Sequence, residues 1–447
     1  MLPTGWCSNV LIDIGDDGLI SEVRADAAPE GAEVAAGALL PGMPNVHSHA
    51  FQRAMAGLTE KCGPDGDNFW TWRDLMYRFL ARITPEDNEA IATQLYIEML
   101  KSGYTSVAEF HYLHHDEAGK AYAKRDEMAQ RILAAASTAG IGLTLLPVLY
   151  RHGGCSGAPP GAQQMRFVLS VDDFNMLTQT LQQRRDGLLR RVGIAPHSLR
   201  AVTPDELHAA IDALDELDAT APIHIHAAEQ QREVDDCLAW SGKRPVAWLL
   251  QNHQVNARWC LVHATHMNDD ETLRLAQSGA VAGLCPSTEA NLGDGIFNLP
   301  AYLMQHGAFG IGGDSHVGVN PFQELALLEY VQRLKNARRN ILNFSPGASS
   351  GGGLWRRALL GGAQALGQRV GAIARGCHAD LLVLNSDDAA LLERSGDDLL
   401  DGAIFGPCKS AVRDVMVSGK WVVRAGHHAA EEQALLNYRN TLRHLLV

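Results

Sequence analysis

Short apolar runs alternate with segments of helical periodicity from residue 39 onward, and this alternation constrains the fold more than any other feature of the chain. It is typical of βα units arranged around a parallel sheet. Eight candidate strands lie at 38–46, 105–110, 141–150, 192–196, 222–227, 259–264, 280–284 and 309–313. Helices are predicted between them at 85–102, 126–139, 205–217, 269–277 and 321–335. The sequence therefore predicts an α/β fold built on a (β/α)8 TIM barrel.

Both ends of the chain carry strand patterns that do not follow this rhythm. Apolar segments at 10–14 and 19–23 flank the Gly-Asp-Asp-Gly sequence at 15–18, which is a strong hairpin turn. Further strand patterns occur at 380–384, 412–417 and 421–423. Because these ends bracket the barrel, we predict that they pair as one small β-sandwich domain built from both chain termini.

The predicted domain boundaries follow from these patterns. The β-sandwich domain takes residues 1–40 and 371–430, the catalytic barrel takes residues 41–370, and a C-terminal amphipathic helix takes residues 431–447. A Gly/Ser loop is expected at 345–353, as a linker or a lid, before a helix at 354–366.

Composition and charge narrow the classes of partner. The formal net charge is -13 and the lysines and arginines are scattered, so no basic surface for nucleic acid is expected. The chain shows no signal-peptide pattern and no run of about 18 apolar residues, which predicts a cytoplasmic protein without a membrane partner. The eight cysteines include no C-x-x-C pair, which indicates reduced thiols and not a structural zinc site.

Two histidines, His47 and His49, lie at the end of the first candidate strand. Successive side chains of a strand point to opposite faces, so these two share a face and can bind one metal ion together. The pair is equally compatible with an ordinary polar strand end. Residues at the other strand ends have to decide between these interpretations.

Candidate ligands recur where the later strands end. His224 and His226 lie on strand five, His263 ends strand six, and Asp314 follows strand eight. TIM barrels place their catalytic groups at these ends. Because each buried polar group needs a partner, a shared metal explains this accumulation better than packing does.

This constellation resembles the mononuclear deaminase branch of the amidohydrolase superfamily, as does the G-x-x-A-D-L sequence at 376–381. The resemblance implies one divalent metal ion, expected to be Zn²⁺, bound by His47, His49, His226 and Asp314. Binuclear relatives carry a carbamylated lysine on strand four, and no lysine occurs in that run. His224 stays open as an alternative to His226, although the family pairs its ligand histidine with a glutamate three residues later.

The same resemblance implies a hydrolytic mechanism with three catalytic residues. A bound metal lowers the pKa of its water and so supplies the attacking hydroxide, which Asp314 orients. Glu229 collects the proton and delivers it to the leaving nitrogen, and His263 stabilises the charge of the tetrahedral intermediate. The expected reaction is attack on a C=N carbon with release of ammonia.

Four segments, at 51–58, 69–76, 196–200 and 285–295, resemble the formimidoylglutamate deiminase family. The resemblance implies hydrolysis of N-formimidoyl-L-glutamate to N-formyl-L-glutamate and ammonia, in histidine degradation. This small-molecule dicarboxylate substrate suits arginine, which binds carboxylates bidentately. The expected substrate-binding residues are Gln52, Arg73, Tyr112, His197 and Arg200, with Arg53 as a further candidate. Arg73 and Arg200 are expected in loops after strands one and four.

Alternatives stay open at this point. The aromatic residues Phe69, Trp70 and Trp72 could form a slot for a ring, so a purine or pyrimidine deaminase acting on guanine, cytosine or adenosine is the second hypothesis. A metal-free barrel used as a binding module and a binuclear amide hydrolase are the others. Relatives are commonly dimers, from which a homodimer is expected.

Overall fold

The computed structural model describes residues 1–29, 31–63, 67–184 and 187–446. Within these ranges the strands are β1 (Leu11–Ile14), β2 (Ile20–Arg24), β3 (Leu39–Pro41), β4 (Met43–Ser48), β5 (Tyr104–His111), β6 (Gly142–Leu149), β7 (Leu189–Val192), β8 (Ala195–Pro196), β9 (Ile223–Ala227), β10 (Trp259–His263), β11 (Val281–Leu284), β12 (Ala308–Ile311), β13 (Leu381–Leu384), β14 (Val412–Val417), β15 (Lys420–Arg424) and β16 (His427–His428).

The α-helices of the same ranges are α1 (Phe69–Leu80), α2 (Pro85–Ser102), α3 (Glu127–Ala139), α4 (Val171–Gln182), α5 (Pro204–Asp218), α6 (Gln231–Ser241), α7 (Pro245–Asn252), α8 (Asp269–Ser278), α9 (Pro286–Leu292), α10 (Leu299–Met304), α11 (Pro321–Asn336), α12 (Ser350–Leu366), α13 (Asp397–Phe405) and α14 (Glu431–Leu445). The five predicted barrel helices, α2, α3, α5, α8 and α11, each begin and end within one residue of the predicted bounds. Among the described residues, no helix is both long and apolar enough to cross a membrane.

The predicted TIM barrel is confirmed. Parallel strands follow one another from β4 through β5, β6 and β7, and from β9 through β10, β11 and β12 back to β4. Short β8 pairs with β6, and parallel bridges from Ile194 to Ile223 and from Ser198 to His226 close the circle. The C-terminal ends of the barrel strands therefore meet at one mouth, where such folds carry their sites.

Two of the eight predicted strands are each divided in two. The run at 38–46 becomes β3 and β4, and the run at 192–196 overlaps both β7 and β8. The first division falls at Gly42, where a Cβ atom would clash with the side chain of Thr105. Only glycine permits this close approach, and the chain passes there from the terminal sheet into the barrel.

The two chain ends form the predicted second β structure. β1 pairs with β2, and β16, β15, β14, β13 and β3 form a five-stranded antiparallel sheet. A small apolar cluster contains residues of both sheets, among them Ile20, Leu381 and Met416. The β-sandwich built from both termini is therefore observed, and the domain boundaries at 40 and 371 stay a prediction. The predicted C-terminal helix is α14, and residue 447 lies outside the described residues.

The predicted Gly/Ser loop is shorter in the structure. α12 already begins at Ser350, because the Ser349 side chain accepts the backbone N–H of Gly352 and caps the helix. The loop prediction for 350–353 is therefore wrong. Arg73 also lies on a helix, α1, and not in the predicted loop. Asn68 caps that helix, since its side chain accepts the N–H of Trp70 at 2.8 Å.

Candidate metal centre and active site

The four predicted metal ligands converge at the barrel mouth. His47 lies in β4, His49 directly follows that strand, His226 lies in β9 and Asp314 follows β12. The Nε2 atom of His47 is 3.1 Å from Nε2 of His49 and 3.1 Å from Nε2 of His226. Oδ1 of Asp314 is 3.4 Å from Nε2 of both His47 and His49. All four side chains are buried.

In two of these rings, the hydrogen bond made by Nδ1 determines whether Nε2 has a lone pair free to bind a metal. Nδ1 of His49 lies 3.0 Å from the carbonyl oxygen of Phe110, and Nδ1 of His226 lies 3.0 Å from the carbonyl oxygen of His197. Because a carbonyl only accepts, each Nδ1 carries the proton and each neutral ring presents a lone pair at Nε2. Converging lone pairs beside a carboxylate oxygen fit a divalent cation.

Burial keeps the imidazoles neutral. It lowers the pKa of His47 to about 3, because burial disfavours the charged ring and a second protonated ring at His49 would repel it, and it lowers the pKa of His49 and of His226 as well. Burial opposes ionisation of Asp314, but hydrogen bonding with His47 holds the pKa of that carboxyl below its ordinary range. Neutral imidazoles and an ionised carboxylate are the protonation states that bind metals.

His224, the alternative ligand, does not join this group. Its Nε2 lies 2.8 Å from the carbonyl oxygen of Ala365, at the end of α12. The ligand nitrogens of His47, His49 and His226, in contrast, all lie within 4.8 Å of one another. The geometry therefore favours His226.

Glu229 and His263 lie beside the ligand group. Nε2 of His263 is 3.9 Å from Oε1 of Glu229 and 3.9 Å from Oδ2 of Asp314. Burial raises the pKa of Glu229 to about 7. Burial opposes protonation of His263, but the charge of Glu229 and a hydrogen bond with Glu289 raise its pKa to about 10. A carboxyl that titrates near neutrality beside a cationic imidazole can transfer a proton and stabilise developing charge.

Backbone strain is concentrated at these strand ends. Ala228 (φ +52°), His263 (φ +66°) and Asp314 (φ +52°) adopt the left-handed conformation although none is glycine. Each such residue costs about 1–3 kcal/mol, and such residues cluster at functional sites. Two of these residues, His263 and Asp314, have their side chains at the ligand group, and Ala228 directly precedes Glu229.

A cavity that opens to solvent adjoins the ligand group. Its walls include His49, His226, Glu229, His263 and Asp314 together with all five predicted substrate-binding residues, Gln52, Arg73, Tyr112, His197 and Arg200. Three atoms of these residues, Oε1 of Gln52, Nε of Arg73 and Nε of Arg200, are buried without a hydrogen-bond partner in the described part of the chain. Unpaired buried polar groups in a cavity indicate a polar ligand.

The two cavity arginines approach from different elements. Arg200, in the turn after β8, places its guanidinium 3.5 Å from Oε2 of Glu229 and 3.8 Å from Oε2 of Glu233. Arg73, on α1, stacks its guanidinium over the ring of Trp70 at 4.4 Å from the centroid. Such a cation–π contact restricts the direction in which the arginine points.

Arg53, the further candidate, does not line the cavity. Its Nε donates to Oε2 of Glu98 at 2.8 Å, in an ion pair whose two residues are both absent from the cavity walls. The hypothesis that Arg53 binds substrate is therefore not supported by its position.

Comparison with known proteins identifies the family. Residues 38–422 match the amidohydrolase family. The chain belongs to the amidohydrolase family. A formimidoylglutamate deiminase from Pseudomonas aeruginosa is 54% identical over 447 residues, which cover 100% of this chain and 98% of the relative. An 8-oxoguanine deaminase from the same organism is 29% identical over 398 residues, which cover 87% and 82%. The crystal structure of an amidohydrolase from Brucella melitensis has a TM-score of 0.93 and 47% identity, with 100% and 98% covered.

Two buried glutamates of this amidohydrolase support the site and were not predicted. Oε1 of Glu289 lies 3.3 Å from Nδ1 of His263. Glu233 accepts the backbone N–H groups of Ala228 and Glu229 at 3.1 and 3.2 Å. A signal for each was available in the sequence, since Glu289 lies in the segment 285–295 and Glu233 lies four residues after Glu229, in the first turn of α6.

Apolar and aromatic walls of the amidohydrolase cavity also went unpredicted. They include Met76, Tyr77, Tyr150 and Phe167. Tyr150 ends a predicted strand, so its place at the mouth could have been expected. Phe167 lies between predicted elements and gave no local signal.

Proposed function

We propose that this amidohydrolase hydrolyses N-formimidoyl-L-glutamate to N-formyl-L-glutamate and ammonia, a step of histidine degradation. The observation that carries the proposal is the presence of two guanidinium groups, Arg73 and Arg200, in the cavity that contains the ligand group. The substrate has a C=N group at one end and two carboxylates at the other, so it requires both features. The relative with 54% identity is a formimidoylglutamate deiminase, which supports the assignment.

One zinc ion is the proposed cofactor, held by His47, His49, His226 and Asp314. Three neutral imidazoles and one carboxylate are ligand types that would suit Zn²⁺. When bound, such an ion acts as a Lewis acid and lowers the pKa of a bound water. The convergence of the Nε2 atoms supports this placement, since Nε2 of His47 lies 3.1 Å from Nε2 of His49 and of His226.

The residues beside the ligands move protons. Glu229, with a pKa raised to about 7, accepts a proton from the attacking water near neutrality and then donates it to the leaving nitrogen. The oxygen of water adds to the C=N carbon, and the proton carried by Glu229 goes to the terminal nitrogen. The remaining hydroxyl proton then moves to the same nitrogen as the carbon–nitrogen bond breaks, so ammonia leaves and the C=O group of the formyl product forms. The cationic ring of His263, 3.9 Å from Glu229, stabilises the charge of the tetrahedral intermediate.

The remaining cavity residues bind the rest of the substrate. Arg73 and Arg200 pair with the carboxylates, and local cations are needed because the net charge of -13 does not attract carboxylates at long range. Gln52 and Tyr112, hydrogen bonded to each other at 2.9 Å, contact the same carboxylates. His197, whose ring centroid is 4.8 Å from that of His226, contacts the formimidoyl end.

A purine or pyrimidine deaminase is the weaker hypothesis. The 8-oxoguanine deaminase shares 29% identity against 54% for the formimidoylglutamate deiminase. Phe69 and Trp72 do line the cavity and could face a ring. An uncharged heterocycle, however, has no carboxylate to pair with either guanidinium group.

A homodimer, a cytoplasmic location and the absence of nucleic-acid or membrane partners stay predictions. The dimer rests on the family resemblance alone. Light scattering tests it, with an expected mass of twice the 48.4 kDa of the chain. A single-chain mass at micromolar concentration would contradict it.

Substrate comparison tests the proposed function. Purified protein loaded with one equivalent of Zn²⁺ receives N-formimidoyl-L-glutamate, guanine, cytosine or adenosine, and ammonia is measured from each. We expect ammonia from N-formimidoyl-L-glutamate only, with N-formyl-L-glutamate identified by NMR. Glu229→Gln is the matched control and is expected to keep the metal and lose turnover. Faster release from a nucleobase, or formation of glutamate plus formamide, would overturn the proposal.

A further inference from the structure

Glu109 is a buried carboxylate on β5 that neither lines the cavity nor belongs to the ligand group. Only 2% of the residue is exposed. Its Oε1 accepts the backbone N–H of Ala50 at 2.8 Å. Its Oε2 accepts the hydroxyls of Ser48 at 2.5 Å and of Tyr96 at 3.0 Å. Burying a carboxylate costs free energy unless it is hydrogen bonded. The three donors that converge on Glu109 therefore indicate a specific structural role.

The residues that Glu109 binds are interleaved with two of the metal ligands. Ser48 lies between His47 and His49, and Ala50 follows His49. Glu109 therefore fixes the chain on both sides of His49, through a side chain at 48 and a backbone group at 50. The carbonyl of the next residue, Phe110, accepts Nδ1–H of His49 at 3.0 Å. One short stretch of β5 thus holds both the backbone and the ring of that ligand.

The hydrogen bonds continue to a third strand end. Oγ of Ser48 lies 2.9 Å from Nε2 of His316, which follows the ligand Asp314 by two residues. The single hydroxyl proton of Ser48 goes to Glu109, so His316 is the donor to Ser48. Hydrogen bonds therefore join the C-terminal ends of β4 and β5 to the segment that follows β12.

We propose that Glu109 is a positioning residue for the metal ion, which it serves by holding His47 and His49 in their convergent arrangement. This inference rests on the metal centre of the proposed function and does not depend on the substrate. Without Glu109 the 47–50 segment gains freedom that metal binding must then remove, so affinity falls. Outer hydrogen-bond partners of metal ligands are typically worth about 10- to 100-fold in metal affinity.

Competition with a chromophoric chelator measures this affinity directly, with Zn²⁺ as the probe and no substrate present. Glu109→Gln keeps the size of the side chain but replaces one accepting oxygen with an NH₂ group, which cannot accept from Ser48 or Ala50. We expect its Zn²⁺ dissociation constant to rise about 10- to 100-fold. Tyr96→Phe is the matched control, because it removes the donor that lies outside the ligand segment, and we expect less than about a threefold change.

A second variant and a stability measurement separate positioning from folding. Ser48→Ala leaves Glu109 in place and removes the hydroxyl group between the two ligands, so it is also expected to weaken Zn²⁺ binding. If Glu109→Gln does not fold, the Zn²⁺ affinity of Ser48→Ala tests the inference instead. Metal-free Glu109→Gln and Tyr96→Phe are expected to melt at similar temperatures. Wild-type protein that binds no stoichiometric Zn²⁺ would refute the metal centre itself. Two results would overturn this inference and leave the proposed function standing. In the first, wild-type protein binds Zn²⁺ and the dissociation constants of Glu109→Gln and Ser48→Ala are within twofold of the wild-type value. In the second, Tyr96→Phe weakens Zn²⁺ binding as much as Glu109→Gln does.

Discussion

Two histidines on one strand differ in function because their ring nitrogens have different partners. His226 donates Nδ1–H to the carbonyl of His197, which leaves its Nε2 lone pair directed at His47. His224 uses Nε2 for the carbonyl of Ala365, and its Nδ1 has no partner among the described residues. Both residues are histidines on β9, so the residue type does not distinguish them. The backbone carbonyl that each ring contacts assigns the ligand role to His226.

Metal content tests this assignment at the level of single residues. His226→Ala is expected to abolish stoichiometric metal binding, whereas His224→Ala keeps it. The second change leaves the buried carbonyl of Ala365 unpaired and is expected to cost about 1–3 kcal/mol in the free energy of unfolding. Elemental analysis and urea unfolding of both variants provide the measurements. Metal loss in the His224 variant alone would reverse the assignment.

Activity should depend on pH through Glu229. Its pKa is raised to about 7, so the protonated form, which cannot accept a proton from water, predominates below that pH. We expect kcat/KM to fall about tenfold per pH unit below pH 7 and to be level above it. The pKa of His263, raised to about 10, places any loss of its charge above the neutral range. A pH profile that is flat from 5 to 8 would contradict the role of Glu229.

Arg73 should affect substrate binding more than chemistry, because the proposed contact with a carboxylate exists before and during the reaction. We expect Arg73→Met to raise KM for N-formimidoyl-L-glutamate about 10- to 100-fold with a small change in kcat. Arg53→Met is the matched control, since Arg53 pairs with Glu98 away from the cavity. Steady-state kinetics at equal metal content decide the matter. Equal KM values for the two variants would remove Arg73 from the binding site.

Helices and strands whose apolar residues recur regularly along the sequence could be predicted, whereas features that depend on contacts between distant residues could not. The five barrel helices and eight apolar runs follow from local periodicity. α1 was missed although local signals were present, since Asn68 can cap it and Phe69, Trp72, Met76 and Leu80 recur at helical spacing. The division at Gly42 was missed because the clash that requires glycine involves Thr105, 63 residues later in the chain.

Two glycine substitutions test these local explanations. Gly42→Ala is expected to destabilise the fold by about 1–3 kcal/mol, because the added Cβ would clash with Thr105. Gly353→Ala is the control, since it adds a Cβ in open space within helix α12 and is expected to stabilise the fold by about 0.5–1 kcal/mol. Urea unfolding compares the two. Equal effects would show that residue 42 does not require glycine.

At the scale of the whole molecule, distant segments cooperate to build one site. Ser48 and Glu109 are 61 residues apart, and His263 and Glu289 are 26 apart. The ligands could be predicted because they end strands and follow a short spacing. Glu109 could not be predicted, since its partners come from other elements. Glu289 lies in the segment 285–295 that carries the family resemblance, but its contact with His263 could not be predicted. A buried ion pair of Arg190 with Asp380, at 2.7 Å, also joins the barrel to the terminal sheet.

The central claim is that a metal ligand group and a carboxylate-binding cavity act together on one substrate. The most direct measurement is ammonia release from N-formimidoyl-L-glutamate by protein stripped of metal and then titrated with Zn²⁺. We expect no turnover in the stripped protein and a linear recovery that reaches its plateau at one equivalent per chain. Full activity without metal, a plateau at two equivalents, or no ammonia at any Zn²⁺ level would contradict the account.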